Sequence, residues 1–150
     1  MRPPLIAVIG GRRASRPLLQ EAEKAGRLIA AQGATLLCGG LGGIMEAASK
    51  GAAEEGGLTV GILPHDSGTS ANPHISVAIA TGMGIGRNVI IARSADAVIA
   101  IGGAYGTLSE IAFALQLEKP VIGIRTWDIK GVEAAQGAED AVARAFRALA

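Results

Sequence analysis

Short aliphatic runs that end in glycine, each followed by a segment with helical spacing of its apolar residues, recur along this 150-residue chain. Its 22 glycines gather at these junctions rather than spreading evenly. Strands that alternate with helices form parallel sheets, because right-handed crossover connections place the helices on both faces. Uniformly apolar strands fit a sheet that is covered on both sides. We therefore expect a three-layer, doubly wound, Rossmann-like α/β fold in a single domain that spans residues 1–150.

The same alternation predicts the individual elements. Strands are expected at 5–9, 35–38, 58–63, 77–80, 97–101 and 120–124. Helices are expected at about 15–31, 44–55, 87–93 and 107–117, and from about 138 onward. The polar segment 64–75 is longer than most connections in such folds and is interpreted as a lid or a mobile segment. Residues 131–137 are interpreted as a loose stretch before the last helix.

Composition excludes several classes of partner. With 14 Lys and Arg against 13 Asp and Glu, the net charge is +1, too small to attract nucleic acid or anionic lipid over a distance. Aromatic residues, which stack on nucleic-acid bases, make up only 3% of the chain. The first apolar run, 5–9, is too short for a signal sequence or a membrane span. A single cysteine, Cys38, precludes an internal disulfide, which fits a reducing cytoplasm. Taken together, these features lead us to expect a cytoplasmic protein that binds neither nucleic acid nor membranes.

Glycines follow four of the predicted strands, and the carboxyl ends of parallel strands lie at one edge of a sheet. Glycine loops at helix N-termini expose backbone N–H groups that can bind a phosphate. We therefore expect one crevice for a phosphorylated small molecule, lined by Gly10, Gly11, Gly39, Gly40, Gly42, Gly43, Gly103, Tyr105, Gly106 and Thr107. The first loop lacks the Gly-x-Gly-x-x-Gly pattern and no P-loop lysine follows a glycine run, which disfavours NAD binding and P-loop ATPase activity.

Arg87 and Glu110 are the candidate catalytic residues. Arg87 opens a predicted helix, where a cation opposes the helix dipole. It is interpreted as a contact to an anionic ligand or, alternatively, as a surface arginine paired with a nearby carboxylate. Thr107 and Glu110 have the spacing of a capping box, in which each side chain accepts a hydrogen bond from the backbone N–H of the other residue. Glu110 also follows a glycine loop closely enough to stabilise a developing cation or orient a water, and the two roles are compatible.

The remaining polar candidates receive structural interpretations. Glu46, in the first turn after the second glycine loop, is assigned mainly to compensation of the helix dipole. His65 and His74 lack the spacing of a metal site or a catalytic triad and are expected to be exposed loop residues. Cys38 is expected to be a small buried residue at a strand end. No metal site and no cofactor are expected.

Two motifs resemble those of the LOG (Lonely Guy) family, often described as possible lysine decarboxylases. Cys38-Gly-Gly-Leu-Gly-Gly-Ile-Met-Glu46 resembles its first glycine motif, and Gly102-Gly-Ala-Tyr-Gly-Thr-Leu-Ser-Glu110 resembles its Pro-Gly-Gly-x-Gly-Thr-x-x-Glu motif. Here Gly102 replaces the proline and Ala104 replaces a glycine, and the segment before the catalytic helix lacks the His and Lys of the family. These departures make the chain more similar to a short subgroup that includes molybdenum-cofactor carrier proteins.

The resemblance implies a Rossmann-like fold that assembles, here as a homodimer or homotetramer. Characterised LOG enzymes hydrolyse the N-glycosidic bond of nucleoside 5′-monophosphates, and their catalytic arginine and glutamate correspond to Arg87 and Glu110. The first hypothesis is therefore a phosphoribohydrolase that releases a free base and ribose 5-phosphate. The alternative is a non-catalytic carrier of a phosphorylated ligand, such as a nucleotide or the pterin phosphate of the molybdenum cofactor.

Overall fold

A computed structural model describes residues 2–150, which form one seven-stranded sheet and five α-helices. The strands are β1 (Leu5–Gly10), β2 (Thr35–Cys38), β3 (Thr59–Leu63), β4 (Val77–Ala80), β5 (Ala97–Ile101), β6 (Val121–Ile124) and β7 (Val132–Ala134). The helices are α1 (Arg16–Ala31), α2 (Ile44–Glu54), α3 (Arg87–Ser94), α4 (Tyr105–Gln116) and α5 (Ala138–Leu149). None of the helices formed by residues 2–150 is long and apolar enough to cross a membrane.

All seven strands of residues 2–150 are parallel, and they lie in the order β4-β3-β2-β1-β5-β6-β7. From β1 the chain moves outward to β4, then returns through α3 to β5 on the other side of β1 and continues to β7. The expected doubly wound, Rossmann-like fold is confirmed. In such sheets a crevice forms outside the carboxyl ends of the two strands where the order reverses, which here are β1 and β5.

Helices cover both faces of the sheet. On one face α1, α2 and α5 pack with Ile6 and Val8 of β1. On the other face α3 and α4 pack with Ala7 and Ile9 of the same strand. Because successive side chains of a strand point to opposite faces, β1 is buried on both sides, as its uniformly apolar sequence predicts.

Helices α1 and α2 approach each other closely because each carries a glycine at the contact. A Cβ atom added to Gly26 of α1 would overlap the carbonyl oxygen of Ala48, and one added to Gly51 of α2 would overlap that of Glu23. The two helices begin after the loops at the carboxyl ends of β1 and β2. Their close packing therefore holds these two loops at a fixed separation.

The segment after β6 differs from the expectation. The sequence predicts a loose stretch at 131–137, whereas residues 132–134 form the edge strand β7 beside β6. The pairing continues with Ala135, whose backbone N–H donates to Gly123 O at 2.8 Å. The sequence of this strand, Val-Glu-Ala, contains no aliphatic run that would predict it, and only Val132 is even partly buried.

The polar segment 64–75 is attached to the glycine loop after β2 through the buried residue Asn72. The backbone N–H of Asn72 donates to Gly40 O at 2.9 Å, and its side-chain amide donates to Leu41 O at 3.0 Å. Its Oδ1 accepts a hydrogen bond from the backbone N–H of His74 at 3.0 Å. The interpretation of this segment as a lid or mobile element stays a prediction.

Candidate ligand-binding site

A cavity of about 450 Å³ opens at the carboxyl ends of β1 and β5, where the strand order reverses. We call it the crevice. Its walls are the loops after β1, β2 and β5 together with residues of the first turns of α3 and α4. Seven of the predicted site residues line it: Gly10, Gly11, Gly39, Arg87, Gly106, Thr107 and Glu110. The other five do not line it: Gly40, Gly42, Gly43, Gly103 and Tyr105.

Three of the candidates outside the crevice determine how the loops pack. Gly40 lies against β3, where an added Cβ would come 2.6 Å from a side-chain carbon. Gly43 has a φ of 66°, and a Cβ on it would overlap the carbonyl oxygen of Arg12 in the loop after β1. Gly103 has a φ of 99° and lies against the side chain of Thr107. At these positions glycine is required by contacts within the protein.

The remaining two candidates lie at the margins of the crevice. Gly42 lines a neighbouring cavity. Tyr105 is 81% exposed and stacks on Trp127, with ring centroids 6.2 Å apart and ring planes inclined by 29°. The indole N–H of Trp127 donates to Ala104 O at 3.1 Å, and Ala104 lines the crevice. The two rings therefore form an aromatic rim beside the glycine loop that follows β5.

The guanidinium group of Arg87 is directed inward from the start of α3. Its Nε donates to Ile62 O at 2.9 Å, its Nη2 donates to Gly39 O at 3.4 Å, and its Nη1 donates to Oδ1 of Asn88. Burial lowers the pKa of Arg87, whereas the nearby carboxylate of Glu110 raises it. Within residues 2–150, Arg87 forms no ion pair with a carboxylate. The alternative interpretation of Arg87 as a paired surface arginine is therefore wrong.

Glu110 is a nearly buried carboxyl group in the crevice, only 8% exposed. Helix α4 begins at Tyr105 with Ala104 as its N-cap, and no side chain caps it. The predicted capping box is therefore wrong, because Thr107 already lies inside the helix and cannot be its N-cap. Burial raises the pKa of Glu110 to about 8, and the positive charge of Arg87 opposes this rise. At neutral pH the side chain of Glu110 is therefore mostly protonated.

Asn88 is a buried site residue that sequence reasoning missed. Its Oδ1 accepts from Arg87, while its Nδ2 donates to Ser109 Oγ at 3.1 Å and to Gly106 O at 3.5 Å. Asn88 lines the crevice and connects the start of α3 to the first turns of α4. Its position next to Arg87 is the only local signal, since Ser109 lies 21 residues further along the chain.

Arg12 is the second site residue that sequence reasoning missed. It follows the glycines at the end of β1 and lines both the crevice and the neighbouring cavity. Its side chain is exposed, and no ion pair involves it in the described part of the chain, residues 2–150. The available signal is its position directly after Gly10 and Gly11, at the edge where the glycine loops meet.

The other polar candidates have the following environments. Cys38 is completely buried at the end of β2, as expected, and burial raises the pKa of its thiol. His65 is exposed, as expected, with its Nδ1 2.9 Å from Ser70 Oγ, whereas His74 is only partly exposed. Glu46 lies in the first turn of α2 with its side chain exposed, where it faces the positive end of the helix dipole.

The profile of a protein family described as SLOG cluster4 matches residues 3–148. The chain belongs to the SLOG cluster4 family. The similarity to LOG proteins, and to their short subgroup with molybdenum-cofactor carriers, is confirmed. An uncharacterised protein of Archaeoglobus fulgidus is 45% identical to this SLOG cluster4 chain over 138 residues, which are 91% of each sequence.

Several solved structures are similar to this SLOG cluster4 chain. The molybdenum cofactor binding protein from the phototrophic bacterium Rippkaea orientalis is 38% identical with a TM-score of 0.95, over 100% of this chain and 99% of that one. The molybdenum cofactor carrier protein MCP from Chlamydomonas reinhardtii is 34% identical with a TM-score of 0.88, over 99% of each chain. DNA processing protein A from Helicobacter pylori, at 18% identity and a TM-score of 0.74 over 97% of this chain and 81% of that one, shares the fold alone.

Proposed function

We propose that this protein binds a phosphorylated small molecule in the crevice and carries it without chemical change, and that the ligand is a pterin phosphate of the molybdenum-cofactor type. The observation that carries the proposal is Glu110, a nearly buried carboxyl group in the crevice with a pKa of about 8. In its neutral form it lies against an anion without repulsion and can donate a hydrogen bond to it. The similarity to a molybdenum cofactor binding protein and a molybdenum cofactor carrier protein supports this class of ligand.

Hydrolysis of nucleoside monophosphates, the first hypothesis from the sequence, has less support. A glutamate that stabilises a cation-like ribosyl centre acts as a carboxylate, whereas Glu110 is mostly neutral at pH 7. Arg87 directs its donors to the backbone of Ile62 and Gly39 and to the side chain of Asn88. Glu110 is thus not suited to the cation-stabilising role expected from the sequence, and Arg87 holds the walls of the crevice together. The carrier, which is the alternative from the sequence, becomes the proposal.

In the proposed complex the phosphate lies at the first turn of α4. The N-cap residue Ala104 offers no side chain to the free N–H groups of this turn, so they remain available to an anion. Gly106 and Thr107 belong to the same turn and line the crevice, and Gly11 faces them from the loop after β1. Arg12, which has no carboxylate partner among residues 2–150, supplies a positive charge at the same edge.

Calorimetric titration tests the proposal with ribose 5-phosphate, AMP, GMP and isolated molybdopterin, and with adenosine as the matched ligand without phosphate. We expect the phosphorylated ligands to bind and adenosine to bind far more weakly, and we expect no free base in the AMP and GMP mixtures by chromatography. If the wild type released base steadily and the Glu110→Gln variant did not, the carrier function would be wrong and hydrolysis would be supported. Failure of every phosphorylated ligand to bind would overturn the crevice as a phosphate site.

We also propose that the protein assembles as a homodimer or homotetramer. All four residues of the edge strand β4 are exposed, including the large apolar side chains of Val77 and Ile79. Ile85, which follows this strand, is 87% exposed and also lines the crevice. Apolar side chains concentrated on an open sheet edge favour pairing with a second copy of the chain. A second copy bound there would lie close to the crevice.

A further inference from the structure

A second cavity, of about 370 Å³, opens beside the crevice and shares Arg12 and Leu41 with it. We call this second cavity the side compartment. Glu46 from the first turn of α2, and His65 and Ser70 from the segment 64–75, form much of its polar wall. The two spaces are therefore adjacent, with Arg12 on their common boundary.

Arg12 and Glu46 line the side compartment with opposite charges, yet no ion pair joins them within residues 2–150. Five of the 14 basic residues have a carboxylate partner within residues 2–150, and Arg12 is not among them: Arg2, Lys24, Arg27, Lys50 and Arg144. A guanidinium group offers only donors and a carboxylate offers only acceptors. A space that both line, without pairing to each other, complements a ligand group that carries an acceptor next to donors.

The wall of the side compartment is held together by hydrogen bonds of the protein itself. Asn72 joins the segment 64–75 to the carbonyl oxygens of Gly40 and Leu41, at 2.9 and 3.0 Å. His65 Nδ1 lies within hydrogen-bond distance of Ser70 Oγ, at 2.9 Å. These hydrogen bonds connect the wall of the compartment to the loop after β2, so that less of the wall has to be ordered on binding.

We propose that the side compartment binds the heterocyclic ring of the ligand through its 2-aminopyrimidin-4-one edge, the edge that guanine and pterins share. Glu46 accepts hydrogen bonds from the ring N–H and the amino group, and Arg12 donates to the ring carbonyl oxygen. Leu41 supplies an apolar contact to the ring. This inference rests on the proposed function, in which the phosphate of the same ligand lies in the crevice on the other side of Arg12.

The proposed contacts discriminate between purine rings. Adenine carries an amino group in place of the carbonyl and an unprotonated ring nitrogen in place of the N–H. It therefore sets a donor against Arg12 and an acceptor against Glu46, which leaves both charged groups unpaired. Sites that use hydrogen bonds to recognise a ligand reject analogues that lack the matching groups. GMP is expected to bind at least about tenfold more tightly than AMP.

Calorimetric titration of the wild type, Glu46→Gln and Glu54→Gln with GMP, AMP and neopterin monophosphate tests the inference. Glu54 is an exposed acid on the same helix outside the side compartment, so Glu54→Gln is the matched control. We expect Glu46→Gln to lower the affinity for GMP and neopterin monophosphate by about tenfold and not to lower the affinity for AMP, because the Gln amide can donate to the unprotonated ring nitrogen of adenine. Glu54→Gln should match the wild type with all three ligands. Tighter binding of neopterin monophosphate than of GMP would identify a pterin, rather than guanine, as the ring that carries the recognised edge.

Two outcomes overturn the inference and are distinguishable. In the first outcome, AMP and ribose 5-phosphate bind, but GMP and neopterin monophosphate bind no better than AMP, or Glu46→Gln lowers the affinity for all ligands equally. The side compartment then does not recognise the 2-aminopyrimidin-4-one edge, whereas the phosphate site in the crevice remains supported. If no phosphorylated ligand binds, the proposed function itself fails and this inference fails with it. Equal melting temperatures of the three proteins show that the comparison is made on folded chains.

Discussion

The guanidinium group of Arg87 fills the space that a side chain at Gly39 would need. A Cβ atom added to Gly39 would lie 2.7 Å from Nη2 of Arg87 and 3.1 Å from its Cζ. The carbonyl oxygen of Gly39 also accepts a hydrogen bond from the same Nη2 at 3.4 Å. The glycine at the end of β2 therefore makes room for an arginine of α3, in addition to lining the crevice.

Gly39→Ala is expected to displace Arg87 and to weaken the binding of ribose 5-phosphate by about tenfold. Arg87→Ala should have the same effect, because both changes remove a partly buried positive charge from its place. Gly42→Ala is the matched control, since a Cβ added there meets nothing within 4 Å. Calorimetric titration measures all three variants. Wild-type affinity in Gly39→Ala would show that the position of Arg87 does not matter for binding.

Ligand affinity is expected to fall as pH rises through about 8, because ionisation of Glu110 then adds a negative charge beside an anionic ligand. Glu110→Gln stays neutral and should bind with little dependence on pH. Titrations with ribose 5-phosphate between about pH 7 and about pH 9, where the phosphate is already a dianion, measure the difference. Identical pH profiles in the two proteins would contradict this role of Glu110.

Glu110 is also expected to make the fold less stable as pH rises. Its pKa is raised from 4.5 to about 8 by folding, so in this range the unfolded chain loses a proton that the folded chain keeps. The free energy of unfolding of the wild type, relative to Glu110→Gln, should therefore fall between about pH 4.5 and about pH 8, by at most about 1.4 kcal/mol per pH unit. Urea denaturation of both proteins at several pH values tests this, and parallel curves would refute it.

Gly51→Ala is expected to destabilise the protein by about 1 to 3 kcal/mol, because the new methyl group forces α1 away from α2 at the carbonyl oxygen of Glu23. This loss outweighs the gain of about 1 kcal/mol in helix propensity. Glu54→Ala, on the exposed side of the same helix, should change stability by less than about 0.5 kcal/mol. Urea denaturation measures both variants, and a more stable Gly51→Ala would show that the two helices can separate freely.

Light scattering is expected to give the mass of a dimer or tetramer for the wild type and a smaller mass for Ile79→Lys, which places a charge on the exposed edge strand β4. Phe113→Lys, at a similarly exposed apolar residue of α4, should keep the wild-type mass. A monomeric wild type would rule out self-association. A loss of mass in Phe113→Lys alone would place the interface on α4 instead.

Most of the sheet could be predicted from the sequence because its signals are local. A strand such as β1 is a short aliphatic run that ends in glycine, and the rule for right-handed crossovers then puts all such strand ends at one edge. The strand β7 could not be predicted, because its three residues are stabilised mainly by pairing with β6 and carry little apolar surface.

The candidate site could be predicted only in part. Arg87 and Glu110 lie on helices that begin at the expected edge, so their place in the crevice follows from the fold. The start of α4 differs from the prediction because the left-handed turn at Gly103 brings the chain into the helix before Thr107. The contacts of Asn88 join residues far apart in the chain, and no local pattern indicates them.

The aromatic rim gives the molecule a built-in optical reporter. Trp127 is the single tryptophan of the chain, and its indole is both stacked on Tyr105 and hydrogen-bonded to the loop residue Ala104. Its fluorescence therefore arises from one defined place beside the crevice, with no background from other indoles. Binding and release of the proposed ligand can accordingly be followed by rapid mixing with the unlabelled protein.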